Sequence, residues 1–238
     1  LSCGTRYISG YRVPRVGILV TGDELLNPGE EYSAGKIYNS NGPLLFYTLK
    51  KWGYPVVVNE RVGDDIEKMT GSILNTLKGV DILFISGSVS VGDFDYVRGV
   101  LDDMGAMRVF QKVAIKPGKP VGCYIKDNKV IIALPGNPVA AYVSFLLFGL
   151  PALYRLQNRQ YEQDTETVIL RDNIIRKFAD REELLPVRLG DKQDYELLDY
   201  NGSAHLAALS RSNGLLIIPR GQLRLEAGDS AIAIVIPQ

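Results

Sequence analysis

The sequence predicts an α/β protein: a three-layer α/β/α domain with a mostly parallel sheet, followed by a small all-β barrel domain. Three observations predict it. From residue 15 to about residue 158, short unbroken apolar runs alternate with segments whose apolar residues recur at helical spacing, the pattern of βαβ units. Glycine-rich and polar clusters follow those runs directly, and in a parallel sheet such loops converge on one rim. After Asn158 the helical spacing stops, and short β-rich runs divided by turn residues take over. The expected domains are residues 1–158 and 159–238.

The elements follow in order. Arg15–Thr21 is an apolar run ending at Gly22 and reads as a strand buried on both faces. Ser40 or Asn41 is expected to cap a helix with Pro43 in its first turn, Leu44, Leu45, Thr48, Leu49 and Trp52 on one face, and Gly53 as its stop. Tyr54–Val58 is a second strand. Asp64 and Asp65 open a helix with Ile66, Met69, Ile73 and Leu77 at helical spacing. Asp81–Ser86 is a third strand, a Gly/Ser loop runs from Gly87 to Gly92, and Tyr96–Met104 is a helix closed by Gly105. Val109–Ile115 and Val130–Leu134 are further strands. Asn137 caps an apolar helix beginning at Pro138, which Gly149 and Pro151 are expected to interrupt or close. Residues 159–166 read as a polar linker. Beyond it, Val168–Leu170, Leu184–Leu189, Tyr195–Leu198, Gly214–Ile218 and Ala231–Ile236 are expected strands, with turns at Asn201-Gly202 and Gly228-Asp229.

Composition narrows the function classes. The 238 residues carry 27 basic and 27 acidic side chains, so the excess of positive charge that nucleic-acid binding needs is missing. Hydrophobic content of 46% fits a packed core rather than a disordered chain. The longest apolar run, Val139–Leu150, spans about 12 residues, short of a bilayer crossing. The two cysteines, Cys3 and Cys123, form neither a disulfide framework nor a CxxC site, which fits the cytoplasm. The chain opens on Leu1 without a signal-peptide pattern.

Four clusters carry candidate chemistry. The loop 86–95 supplies Gly87 and Gly92 for close backbone approach, with Ser88 and Ser90 as hydroxyl donors and Val89 between them. It feeds a helix start, where unpaired N–H groups favour an anion, although a plain strand-to-helix connection reads the same way. Lys116 and Lys119 flank a Pro-Gly pair on a stiff turn that suits an oxyanion or phosphate, or is simply a solvated basic turn. Glu24, Asp64, Asp93 and Asp95 fall near the same rim, where carboxylates beside lysines suggest a divalent cation such as Mg2+ bridging an anionic substrate. Each aspartate also reads as a helix cap. Pro135, Gly136, Asn137 and Pro138 follow the last strand and open a helix. His205, the one histidine, reads as structural, and Cys123, expected to follow a strand, reads as a buried thiol.

Five motifs occur together and in one order: GDEL at 22–25, GKIYNSN at 35–41, GSVSVGDFD at 87–95, KPGKP at 116–120 and LPGNP at 134–138. In this the chain resembles the molybdopterin molybdotransferases, the MoeA family that includes the E domain of gephyrin, over about residues 12–157. The tail from 165, with SAHLAALSRSNGLLIIPRG at 203–221, resembles the family's C-terminal β-barrel more loosely. Full-length members carry two further domains first, so the resemblance implies a fragment holding the last two. It also implies the job: insertion of molybdate into adenylylated molybdopterin with release of AMP, using a divalent cation, in a homodimer. By position, Glu24, Asp95 and Asp64 or Asp65 match acidic site residues, and Ser88–Gly92 matches the phosphate loop. Lys116 and Lys119 match the lysines that hold molybdate, and Pro135 and Pro138 the prolines shaping that pocket.

The chain departs from the family at Ser88, where glycine is usual, at Ala140 and Ala207-Ala208, where serine is common, and at Pro186, where arginine is common. Those departures keep a second reading open, a non-catalytic pterin-binding or scaffold module. A pterin adenylyltransferase-like activity is a third, opposed by the loop sequence and by the added barrel.

Overall fold

Valine and isoleucine runs that bury side chains toward both faces build the central sheet. The structure, a computed structural model, describes Gly4, Tyr7 and residues 9–87, 94–191, 194–200 and 202–237, with the backbone alone for Phe94 and Asp95. Strand β1 (Val16–Thr21) is followed by a small parallel pair, β2 (Leu25–Leu26) and β3 (Ile37–Tyr38), and then by α1 (Asn41–Lys51). Next come β4 (Val56–Val62), α2 (Ile66–Leu77), β5 (Ile82–Gly87), α3 (Phe94–Asp103), β6 (Met107–Gln111), β7 (Ile115–Lys116), β8 (Gly122–Lys126) and β9 (Lys129–Leu134). The sheet order is β4-β1-β5-β9-β8-β6, with β4, β1, β5 and β9 parallel and β8 antiparallel to both β9 and β6.

Alternation along the strands makes three layers. Val16, Ile18 and Val20 of β1, Ile82 and Phe84 of β5, and Ile132 and Leu134 of β9 pack with Leu45 and Leu49 of α1. Leu19, Leu83, Ile85, Ile131 and Ala133 pack on the opposite face with Met69, Ile73 and Leu77 of α2 and Val97, Val100 and Leu101 of α3. Asp65, not Asp64, caps α2, accepting from the Lys68 N–H at 2.8 Å.

The second sheet uses β10 (Thr165–Ile169), β11 (Ile174–Ile175), β12 (Glu182–Leu189), β13 (Tyr195–Leu197), β14 (Gly214–Ile218), β15 (Arg224–Leu225) and β16 (Ser230–Val235). Five of these form an antiparallel sheet in the order β10-β16-β14-β12-β13, and β11 pairs β15 separately. Its core, with Val168, Val187, Leu216 and Ala233, is its own. Leu184, Leu215, Ile234 and Ile236 instead join the α1-side core of the first sheet, so the two sheets share a hydrophobic seam.

Several expectations are corrected. The run Val109–Ile115 is two strands: Lys112 takes a positive φ of 60°, turning the chain, and β7 leaves the first sheet to pair in parallel with β12. Cys123 lies within β8, a strand the sequence reading passed over. An Asp127-Asn128 turn, both residues at positive φ, closes the β8–β9 hairpin. Gly149 and Pro151 mark an interruption of the last helix, as one of the two expectations had it, but do not close it. It continues from α4 (Pro138–Ser144) through a widened turn at Phe145–Gly149 into α5 (Leu150–Leu156). Gly149 is needed there because a Cβ would lie 2.7 Å from both the Phe84 and Phe145 rings.

The whole helix, Pro138–Leu156, has 19 residues and a mean hydropathy of 1.6, long and apolar enough by composition to cross a membrane, unlike the shorter run expected. With 61% of its apolar window buried, its surface is spent on the sheet and the seam. A six-residue helix, α6 (Leu206–Arg211), interrupts the all-β region. Residues 159–166 are not a free linker: Tyr161 packs edge-on against Tyr154 at 5.1 Å, and Thr165 already belongs to β10.

At the amino ends of the strands, Asp81 gathers the chain. Its carboxylate takes both Nη groups of Arg12 at 2.6 Å and the Arg15 N–H at 2.8 Å, with Lys129 Nζ at 3.6 Å. Burial pushes this carboxyl up, but the Arg12 and Arg15 hydrogen bonds and the two cations outweigh it and hold it below the usual range. A depressed acid stabilises the fold above its unfolded pKa, and that stability is lost as pH falls through the folded value. Asp81→Asn is therefore expected to cost about 1 kcal/mol at pH 7, with the gap to the parent chain closing below about pH 4, checked by urea unfolding across pH.

Candidate functional site

The carboxyl ends of β1, β5 and β9 open onto a cavity of about 420 Å3. Thr21 and Ser86-Gly87 form its floor, Glu24 and Ile37–Tyr38 one wall, and Asn39–Asn41 and Gly136–Pro138 the opposite helix starts. Ala204, from the all-β region, reaches over it. Parallel strands place ligand sites here because loops, not side chains of the core, fill the space beyond the last pleat.

Asn41 organises the floor. Its Nδ2 donates to Ser86 Oγ at 2.8 Å and to the Gly136 carbonyl at 2.6 Å, while Ser86 Oγ donates to the Pro135 carbonyl at 3.1 Å. The Gly136 carbonyl can only accept, so the amide orientation is settled. Three segments far apart in sequence are thereby joined: the α1 start, the end of β5 and the 134–138 turn. Of the two expected caps, Ser40 holds the N-cap position without a side-chain cap bond, and Asn41 is the first residue of α1; Asn39 Oδ1 accepts from the Gly42 N–H at 3.0 Å.

Glu24 is held beside Gly22, whose φ of 146° and missing side chain make room: a Cβ there would lie 2.6 Å from Glu24 Oε2. Glu24 Oε1 is buried with no hydrogen-bond partner, and Asn41 Oδ1 is likewise unpaired. Such acceptors cost free energy until a donor or cation meets them. At the other side, the Asn137 Nδ2 donates to Ser203 Oγ at 2.7 Å and the Val139 N–H to the Ser203 carbonyl at 3.0 Å, pinning the all-β region to the α4 start.

Of the residues singled out from sequence, Glu24, Gly87, Gly136, Asn137 and Pro138 line this one cavity. Pro135 is buried behind it and contributes its carbonyl. Asp64 is exposed outside the lining and accepts from the Asp23 N–H at 3.1 Å, while Asp23 Oδ1 accepts from the Asp64 N–H. Ser88, Val89, Ser90, Gly92 and Asp93 lie outside the described residues, as does the side chain of Asp95, whose backbone is in the first turn of α3. Among the described residues no group of three acidic, His or Cys side chains gathers to hold a metal ion. Glu24, with its unpaired oxygen, fits one ligand position; Asp64 does not join it.

Lys116 and Lys119 do not line this cavity. Lys116 lines a second one, of about 200 Å3, with Arg176, Lys177, Arg181 and Glu183, and Lys119 is exposed and lines neither. Asn41 and Ser86 fall inside motifs the sequence singled out but were given no site role, and Ala204 was not singled out as a site residue. A serine closing a buried strand and an asparagine in the 35–41 motif were the available signals. The altered positions lie as follows: Ala140 and Ala208 are buried, and Pro186 is buried in β12 where neither β7 nor β13 pairs with it, which is where a strand tolerates a residue without an N–H. Cys123 is half-buried, and burial pushes its thiol up to about 11, so it is inert.

Residues 17–155 match a family model described as a probable molybdopterin binding domain, and residues 167–236 match the MoeA C-terminal region (domain IV). The chain is 30% identical over 221 residues to a molybdopterin molybdenumtransferase of Staphylococcus epidermidis, covering 92% of this chain and 53% of that protein. It is 39% identical over 140 residues to the molybdenum cofactor synthesis protein cinnamon of Drosophila melanogaster, covering 59% of this chain and 23% of that one. The fold is shared with the molybdopterin biosynthesis moeA protein of Pyrococcus horikoshii at a TM-score of 0.82 and 24% identity, over 95% of this chain and 55% of that one. The chain spans about half the length of the molybdenumtransferases it matches.

The Asn41 network carries a direct test. Asn41→Ala removes donors from the buried Ser86 hydroxyl and the Gly136 carbonyl, and is expected to lower unfolding stability by about 1–3 kcal/mol in urea denaturation. Hydrogen exchange should rise first at 134–138.

Proposed function

Because the chain belongs to the family of the probable molybdopterin binding domain, we propose that it provides the substrate-binding half of a molybdopterin molybdotransferase. In this reading it binds adenylylated molybdopterin and inserts molybdate with loss of AMP, as part of a cytoplasmic homodimer. The observation that supports it best is the 420 Å3 cavity at the strand ends, with a buried, unpaired Glu24 oxygen beside two helix starts. Cavities of this size and place suit a small heterocyclic ligand.

Each group has a chemical part. The loop 86–95 would take the phosphate on its backbone N–H groups at the start of α3. Glu24, with Asp95 and Asp64 as further candidates, would hold a divalent cation such as Mg2+, which supplies positive charge between the carboxylates and an anionic substrate. Lys116 and Lys119 would hold molybdate from a turn stiffened by Pro117 and Pro120, so little ordering accompanies binding. Pro135 and Pro138 would shape the adjoining wall. A second reading, a pterin-binding module without turnover, is favoured by one finding: Lys116 opens into a different cavity from Glu24. Molybdate-dependent turnover by the chain separates the two.

Calorimetric titration tests the assignment. Lys119→Ala is expected to weaken molybdate binding about tenfold and leave the adenylylated pterin within twofold, while Asp95→Asn does the reverse through the cation. Equal loss of both ligands in both variants would refute this division of labour. Gly92→Val is expected to weaken the pterin ligand alone, by crowding the backbone approach to its phosphate.

A further inference from the structure

In the second cavity Lys116 is already part of an ion pair. Lys116 Nζ lies 2.7 Å from Glu183 Oε1, in an ion pair whose lysine is 54% exposed and whose glutamate is 12% exposed. The pair is placed by backbone rather than by side-chain chance: β7 pairs with β12 so that Lys116 stands opposite Glu183, and the Glu182 N–H donates to the Ala114 carbonyl at 2.8 Å. Among the described residues Arg176 Nη1 also lies near Glu183, 3.9 Å from its second oxygen. Arg176, only 5% exposed, spends its guanidinium on the carbonyls of Pro219, Arg181 and Gln222 and cannot swing to meet an incoming anion. Lys116 is therefore the mobile cation of the pair.

We propose that Glu183 is a positioning residue for oxyanion binding: its carboxylate occupies the ammonium of Lys116, and a tetrahedral dianion must displace it. This rests on the reading that Lys116 holds molybdate and adds a residue to it. The carboxylate holds the ammonium oriented on one side of the cavity, and it lowers the apparent anion affinity by the fraction of molecules in which Lys116 is released. A partly exposed pair of this kind corresponds to about a fivefold effect.

The experiment is equilibrium dialysis of radiolabelled molybdate against the full chain, Glu183→Gln, Lys116→Met and the double variant, each checked for folding by thermal melt. Glu183→Gln is expected to bind about fivefold more tightly than the parent chain, while Lys116→Met loses binding and the double variant is no tighter than Lys116→Met. A purely structural role for Glu183 would lower affinity, not raise it. Should Glu183→Gln fail to fold, Glu183→Asp keeps the charge but draws the carboxylate back from the 2.7 Å contact with Lys116, and a smaller rise, about twofold, is expected. If the parent binds through Lys116 but neither Glu183 variant is tighter, the competition is refuted and the lysine assignment stands. If Lys116→Met binds as the parent does, or if no variant binds, the lysine assignment fails and this proposal with it.

Discussion

Burial of β1, β5 and β9 on both faces is the constraint on which the rest of this protein depends. Each strand sends one set of side chains to α1 and the α4–α5 helix and the other to α2 and α3, so no face of the sheet is left for ligand chemistry. Polar residues are admitted only where the strands end. Thr21, Ser86 and Gly87 stand at that boundary, and the cavity begins one residue past the last apolar pleat. The same burial sets the helices: Gly149 is small because two phenylalanines occupy the space a side chain would need, and the helix widens by a turn without breaking.

The second region is joined to the first through several kinds of interaction at once. Leu184, Leu215, Ile234 and Ile236 share its core, β7 adds a strand to its sheet, and Ser203 fastens its loop to the start of α4. A seam made of core, backbone and side-chain bonds resists separation in a way that a single polar patch does not. Its consequence for the cavities is that each takes one residue across the seam: Ala204 of the later part lines the cavity at the strand ends, and Lys116 of the earlier part lines the one built otherwise by residues 175–183.

The two orphaned acceptors and the Lys116–Glu183 pair describe complementary electrostatics. Beside one cavity lie buried oxygens without donors; the other gathers four cationic side chains with the carboxylates of Asp180 and Glu183 among them.

Much of this was legible before any coordinates. Apolar runs, helical spacing and glycine stops located β1, β5, β9, α2 and α3, and the spacing of short runs located β12, β14 and β16, because strand and helix are decided by sterics and periodic burial within a few residues. The ordered motifs brought Glu24, Gly87 and the 134–138 turn to attention. Tertiary structure alone decided the roles that need partners from far away. Asn41 reads locally as a cap, yet its amide is claimed by Ser86, 45 residues on, and by Gly136, 95 residues on. Val109–Ile115 reads as one strand, yet a left-handed Lys112 sends Ile115 and Lys116 to another sheet. Lys116 reads as a free cation, yet β12 delivers a carboxylate to it. In each case the local sequence permits more than one conformation or partner, and the choice is made by burial and hydrogen bonding across the chain, which no short window of residues contains.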